Sequence, residues 1–423
     1  MAAASIIVTA PGSLGDVNPM LAIARALKQA GHEILFLAAE RYLPLAQRAG
    51  LATRSLVNET QFQRLAGNPQ LWHPRHGARL IFREAVEHFL EPHYAWLEEH
   101  CVPGETVLLS HVLDFAGRIY RDAHPTTKFV SVLPAPALLR SYHTPPRLSS
   151  YFWERWLPPF SRPWLYRAAD HWLDRVGGEP INALRGSLGL PHVSRILHRW
   201  WWSPDLVLCL FPEWFSVDPR DVLPTMRLIG FPLADSADCV PAEVSQQLNN
   251  IWSHLGAEPP LVFAPGTAHE HARDFLQVAA QVCQQLQRPG ILLSTNADQL
   301  PKSLPPHVVS AQYLPFSQIL PRAAAIVHHG GVGTTSQALR AGVPQVVLPM
   351  AFDQFDNGER VQRLGCGSWF PMQRLNTEKL IQHVQRLNQT ATGTADVAAR
   401  IAAQPSATAL AVEAIESLIS NLP

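Results

Sequence analysis

The sequence predicts an α/β protein of two domains, each built on a parallel sheet. Three observations predict it. The chain has 423 residues, too many for one ordinary hydrophobic core and suited to two of roughly 200 residues each. Short apolar runs alternate with segments of helical periodicity, the pattern of strands covered on both faces. That series occurs twice, and each time it opens with a strand, a glycine turn and a helix.

The elements follow in order. Ser5–Thr9 reads as a buried strand, and Val17–Ala30 as a helix with Met20, Ile23, Ala24 and Leu27 on one face. Gly31 supplies the left-handed cap. Glu33–Ala38 is a second strand, and Glu40–Ala49 a helix closed by Gly50. "VLLSH" at 107–111 and "FVSVLP" at 129–134 are further strands. Residues 140–215 differ: prolines and aromatics crowd together and end in Trp200-Trp201-Trp202. A polar stretch at 230–245 reads as the linker. The second series then runs through "PLVFAPGT", the helix "RDFLQVAAQVCQQL", "GILLST", "AAAIVHH", "GGVGTT" with the helix "TSQALRA", and "VPQVVLP". The expected division is 1–229 for the first domain, with the aromatic insert at 140–215, then the linker, then 246–405 for the second. A C-terminal helix at 406–423 packs back on the first domain in this reading.

Composition excludes several classes. The chain is 47% hydrophobic and 16% charged, against a usual ~25% charged, so large buried surfaces are expected. Its 34 basic and 34 acidic residues cancel, which argues against nucleic acid as a partner. Five widely spaced cysteines contain no CxxC pair, so neither structural zinc nor a disulfide framework is expected. The first residues lack the charged head of a signal peptide, and no apolar run reaches the ~20 residues of a membrane span. A cytoplasmic protein is the expectation, with peripheral contact at the inner face of the membrane as the alternative.

The second glycine loop carries the stronger anion site. In "IVHHGGVGTT", 326–335, Gly330, Gly331 and Gly333 let backbone N–H groups approach an anion closely. Thr334 caps the following helix or donates to phosphate, and the helix N-terminus adds positive field. His329 adds a donor, and Gly266-Thr267 form a second turn at the end of another strand. Downstream, "PMAFDQFDNGER" leaves a strand at its C-terminal end, where ligands bind in open α/β sheets. Asp353 and Gln354 there suit sugar hydroxyls, one accepting and the other doing both; a turn acid is the plain alternative for Asp353.

Together these residues resemble the donor-binding signature of family-1 glycosyltransferases of the GT-B fold: His329, Gly331 and Thr334, then Asp353-Gln354 and Asn357. The resemblance covers nearly the whole chain. Within the family, "GSLGDVNP", "LWHP", "CLFPEWF" and "GVPQVVLPMAFDQFDNGERVQRLGCG" look closest to the rhamnosyltransferase subunit of rhamnolipid synthesis. The resemblance implies two Rossmann-like domains and inversion at the anomeric carbon without a required metal or cofactor. It implies a nucleotide-diphosphate sugar as donor, dTDP-rhamnose or UDP-glucose, and Tyr313 as the residue stacking on the base. Gln337 stands where many members carry a glutamate for the ribose hydroxyls, a change that favours dTDP. The implied acceptor is the hydroxyl of a hydroxyacyl lipid; an aromatic or sterol-like natural product is the alternative.

An attacking hydroxyl must lose its proton, so a base is needed on the acceptor side. The first loop, "TAPGSLGDVNP", holds Asp16 where many members have a catalytic histidine. Two roles stand for Asp16, general base and favourable charge at a helix N-terminus. Gly12 and Ser13 in this loop, His111 at a strand end, and Trp153 and Trp156 in the aromatic insert are the acceptor-side candidates. That insert reads as helix packing, an acceptor cleft or a lipid-facing surface. A dehydrogenase fits less well, because "PGSLGDV" lacks a full GxGxxG. A non-catalytic nucleotide-sugar or lipid binder would have no use for Asp16.

Overall fold

The computed structural model describes residues 3–73, 76–150, 157–233, 242–266 and 272–420. These form two compact units. The first takes residues 1–146, 151–232 and 405–423; the second takes 147–150 and 233–404. Both are α/β, and each contains one all-parallel sheet, as expected.

The first sheet has seven strands: β1 (Ser5–Ala10), β2 (Glu33–Ala39), β3 (Ala52–Val57), β4 (Thr106–His111), β5 (Lys128–Leu133), β6 (Leu206–Cys209) and β7 (Met226–Leu228). Their order is β3-β2-β1-β4-β5-β6-β7. The chain thus winds outward from β1 to β3, then restarts at β4 on the other side of β1. That reversal is a topological switch point, and the crevice at the carboxyl ends of β1 and β4 is the place such sheets hold ligands. Three of the strands, β3, β6 and β7, are not among those the sequence predicts. β3 and β7 lie at the two edges of the sheet, where no continuous apolar run is needed, and β6 falls inside the aromatic insert.

The first helix runs from Leu14 to Gln29, three residues earlier than its apolar spacing indicates. Ser13 is its N-cap, and Ser13 and Asp16 form a capping box. The Ser-x-x-Asp signal was present, but glycine and proline on either side of it read as loop. The helix lays Val17, Met20, Ile23, Ala24 and Leu27 on a core shared with Ile6, Val8, Leu109 and Val130. Ala411 and Ile415 of the last helix, Ala407–Ser420, complete that core. Each fully buried aliphatic side chain there contributes about 1.5–3 kcal/mol.

The aromatic segment divides. Trp200, Trp201 and Trp202 are buried; Trp200 donates to Asp122 at 2.8 Å and Trp202 to the His198 carbonyl at 3.0 Å. They are packing residues. A 26-residue helix, Arg162–Ser187, precedes them. Trp153 and Trp156 lie outside the described residues.

The second sheet has six strands: β8 (Leu261–Ala264), β9 (Gly290–Leu293), β10 (Val308–Ala311), β11 (Ala325–His328), β12 (Gln345–Val347) and β13 (Gly367–Trp369). Their order is β10-β9-β8-β11-β12-β13, with the switch between β8 and β11. Leu261 and Phe263 pack on one face with the Arg273–Leu286 helix. Val262 and Ala264 pack on the other with Ile326 and Ala338. This is the period of two in a strand covered on both sides.

Candidate active site

The first loop brings Gly12, Ser13 and Asp16 to the switch point of the first sheet. Oδ2 of Asp16 accepts the Ser13 N–H at 2.9 Å and faces the Ser13 hydroxyl at 3.3 Å. The hydroxyl in turn accepts the Gly15 N–H at 3.3 Å. Gly12 is required by contact with the acid rather than by backbone strain. A Cβ on Gly12 would lie 2.5 Å from Cγ of Asp16 and 2.8 Å from its Cβ, and closer still to Oδ2.

The second oxygen of Asp16 faces β4. Oδ1 lies 3.7 Å from Nε2 of His111, the last residue of that strand. Leu113 N–H donates to Nδ1 of His111 at 3.3 Å, which places the ring proton on Nε2, the nitrogen aimed at Asp16. Burial pushes the His111 pKa down against the pull of Asp16 and Asp114, so the ring is neutral near pH 7. Nε2 has no hydrogen-bond partner among the described residues. The arrangement is a carboxylate held at one oxygen, with a buried N–H directed at the other. Behind it, Asp114 accepts the Ser110 hydroxyl at 2.7 Å and the Gly117 N–H at 2.9 Å. Burial works to raise the Asp114 pKa, yet His93 and these donors hold it below the usual range. Asp114 is thereby occupied by its own partners.

The second unit builds a different device at its own switch point. β8 ends at Ala264 and leads to Gly266; β11 ends at His328 and leads to His329, Gly330 and Gly331. The two glycine turns clasp the His329 ring. A Cβ on Gly266 would come 2.9 Å from Cε1 of His329, and one on Gly331 would come 2.5 Å from its Nε2. Nδ1 of His329 is buried. Burial pushes this histidine down to about 4, with the Ala264 carbonyl pulling slightly the other way. It is a neutral imidazole near pH 7, with a capacity for hydrogen bonding but no charge.

His328 has a separate task that the sequence did not distinguish from that of His329. Its Nδ1 accepts the Gly330 N–H at 3.1 Å, and Nε2 bonds Gln345 Oε1 at 2.9 Å. Burial holds it down to about 3. The Gly330 amide, read from sequence as part of an anion nest, is therefore occupied. The amides of Val332, Gly333 and Thr334 are placed differently. They lie in the first turn of the Val332–Ala341 helix, where no helical carbonyl reaches them. Gly331 is the N-cap and offers no side-chain cap.

Asp353 and Gln354 stand where β12 exits, at the start of the Gln354–Arg363 helix. Their roles differ from those of a matched pair. Oε1 of Gln354 accepts the Met350 and Ala351 N–H groups at 2.8 and 3.2 Å, so it shapes the loop. Asn357 ties the loops together: its amide donates to the Gly330 carbonyl at 2.8 Å and to Oδ2 of Asp353 at 2.7 Å. Phe352, just before Asp353, is held at φ +58°, a sparsely populated conformation that clusters at functional loops. Tyr313 follows β10, two strands from β8, and is 39% exposed. Gln337 is buried, with Oε1 lacking a partner among the described residues. Thr267 lies outside the described residues.

Comparison with known proteins gives consistent results. Residues 288–419 match the family of the erythromycin biosynthesis protein CIII-like C-terminal domain. The chain is 27% identical over 400 residues to the O-mycaminosyltylonolide 6-deoxyallosyltransferase of Streptomyces fradiae, covering 88% of this chain and 87% of that one. It is 29% identical over 209 residues to a sterol 3-beta-glucosyltransferase of Arabidopsis thaliana, covering 48% of this chain and 30% of that one. Among solved structures, the kitacinnamycin glycotransferase superposes with a TM-score of 0.73 at 21% identity, covering 99% of this chain and 100% of that one. The spinosyn rhamnosyltransferase SpnG, complexed with thymidine diphosphate, gives 0.67 at 19% identity, with 97% and 100% covered. The solved structures show that the chain has the GT-B fold, and the relatives that its sequence resembles are glycosyltransferases.

Proposed function

We propose that the protein transfers a 6-deoxyhexose, with inversion, from a dTDP-linked donor to the hydroxyl of a lipophilic acceptor, a hydroxyacyl lipid foremost. The observation that carries the reading is the Asp16–His111 pair, with its carboxylate fixed at one oxygen and faced by an N–H at the other. In the reaction Asp16 takes the acceptor's hydroxyl proton. The acceptor oxygen bonds the anomeric carbon as the bond from that carbon to the β-phosphate oxygen breaks. The nucleotide diphosphate leaves with the bonding pair.

The departing diphosphate needs its charge stabilised. The open amides of Val332, Gly333 and Thr334, the helix dipole and His329 are preorganised donors of the kind that meets this need. With them in place the reaction needs no metal ion. Tyr313 is assigned to the base. The likeness to a 6-deoxyallosyltransferase and to a thymidine-diphosphate complex supports a dTDP-deoxysugar. The likeness of about half the chain to a sterol 3-beta-glucosyltransferase supports the second reading, UDP-glucose transfer to a sterol-like or aromatic product.

The test incubates purified protein with dTDP-rhamnose or UDP-glucose and a panel of lipophilic alcohols, with products read by mass spectrometry. Transfer from dTDP-rhamnose alone supports the first reading, and transfer from UDP-glucose alone supports the second. Asp16→Asn lowers turnover by roughly 10²–10⁴-fold while calorimetry shows unchanged nucleotide diphosphate binding. Full activity in that variant removes Asp16 as the base.

A further inference from the structure

A group of large aromatic side chains stands in solvent on the first unit. Phe160 is 77% exposed, Trp164 69% and Trp172 48%, whereas such residues are normally buried. Phe160 lies two residues before the Arg162–Ser187 helix, and Trp164 and Trp172 lie two turns apart on it. The same helix face carries Arg167 and Arg175, both exposed. The Arg167 guanidinium lies 5.4 Å from the Trp164 ring centroid. Neither arginine has a carboxylate partner among the described residues. The helix's other side is accounted for: Gly177 backs onto Phe82, and Asp170 is buried between Arg140 and Arg195.

We infer that this face docks the protein on an anionic membrane surface. Two arguments select a bilayer over a second copy of the chain. The three rings expose roughly 400 Å², taking about 150–250 Å² for each aromatic, well below the ~800 Å² per partner of a stable dimer. The composition, aromatic rings beside unpaired arginines on one side of a helix, is that of an element lying in the headgroup region. The arginines complement anionic lipid, and the rings enter the acyl boundary. Among the described residues no helix is long and apolar enough to cross a membrane, so docking is peripheral. It would bring a lipophilic acceptor to the enzyme, but its test needs neither donor nor acceptor, so its failure and that of the proposed reaction are separable.

The experiment is co-sedimentation of the full chain with phosphatidylcholine vesicles and with vesicles carrying phosphatidylglycerol. Binding to the anionic vesicles, weakened by salt, is the expected result. Arg167→Gln with Arg175→Gln lowers that affinity about fivefold per charge. Trp164→Ala with Trp172→Ala lowers it at least tenfold on both vesicle types, and circular dichroism checks that the fold is kept. Equal binding by the wild type and both double variants, or no vesicle binding by the wild type, overturns the inference. So does a wild-type dimer in sedimentation that Trp164→Ala dissolves, because the face is then an interface between copies.

Discussion

Gly12→Ala isolates the placement of Asp16 from every other property of the first loop. The φ of Gly12 lies outside the left-handed region, so alanine meets no backbone strain there. The added methyl would stand 2.5 Å from Cγ of Asp16 and 2.8 Å from its Cβ. Ordinary carbon–carbon contacts are about 3.5–4.0 Å, so the carboxylate must shift by about 1 Å. That shift breaks the 2.9 Å bond from Ser13 N–H to Oδ2, half of the capping box. The stability cost is that of a lost cap, about 0.5–2 kcal/mol, which leaves the protein folded. The catalytic cost is larger, since displacing a reacting group by 1 Å loses about 10²-fold. Gly15→Ala is the internal control. Its nearest neighbour would be the Ser13 hydroxyl at 3.4 Å, an ordinary contact, and alanine in place of glycine in a helix adds up to about 1 kcal/mol. The assay is turnover at saturating donor and acceptor, beside a urea melt of each variant. Gly12→Ala should lose about 10²-fold in turnover, and Gly15→Ala should keep the wild-type rate with a higher midpoint. Wild-type turnover in a well-folded Gly12→Ala protein would refute the assignment of the carboxylate as base.

His111→Leu removes the N–H that faces Asp16 from 3.7 Å, too far for a hydrogen bond, and should lower turnover by up to about tenfold, less than a formed bond to a charged group is worth; His111→Gln, which restores a donor, should recover part of it in the same kinetic assay. Asn357→Ala leaves the Gly330 carbonyl unsatisfied and frees the Asp353 loop, so calorimetry should show weaker nucleotide diphosphate binding and a urea melt a loss of about 1–3 kcal/mol. His328 and His329 stay neutral down to about 3 and about 4 when folded, whereas unfolded histidine takes up its proton near 6.5. Between those values the unfolded state binds more protons, so the stability is present above pH ~6.5 and is lost as pH falls toward 4. The slope approaches about 1.4 kcal/mol per pH unit for each histidine, and urea midpoints at pH 7 and pH 5 measure it.

How much of this was legible in the sequence depends on whether the signal was local. The glycine turn at 330–333 was legible because glycine at close spacing marks a turn into a helix, and the Val332–Ala341 helix starts there. The division of labour between His328 and His329 was not. β11 is covered on both faces, so adjacent positions are both lined by protein and no alternation marks the structural one. Nor was Asn357's bridging role, which depends on two loops meeting. The strands β3, β7, β10 and β13 escaped because each lies at a sheet edge, where partial burial leaves no continuous apolar run, and β6 escaped because it falls inside the aromatic insert. The Asp16–His111 pair escaped for a different reason. Each residue was singled out, but their meeting requires β4 to lie beside β1, and strand order is a property of the packed sheet. Trp200 and Trp164, alike by composition, were separable only once the helix they belong to or pack against had a known buried side.

Both units use one device, a glycine loop entering a helix at a switch point, and the helix caps decide what each does. In the first, Ser13 and Asp16 fill the helix N-terminus from within the chain. A bound anion there would compete with a carboxylate already placed on the amide it needs. In the second, the N-cap is Gly331, which has no side chain, and no acid lies in the first turn. The same positive helix end is left open for an outside anion. Placing an acid in the second loop, as in Gly333→Asp, should therefore abolish nucleotide diphosphate binding in calorimetry, because the chain would then supply its own anion. The converse also holds. Asp16→Ala should not turn the first loop into a phosphate site, because the Ser13 hydroxyl still holds the Gly15 amide. Measurable binding of the nucleotide diphosphate to Gly333→Asp would show that the open helix end is not what holds the diphosphate.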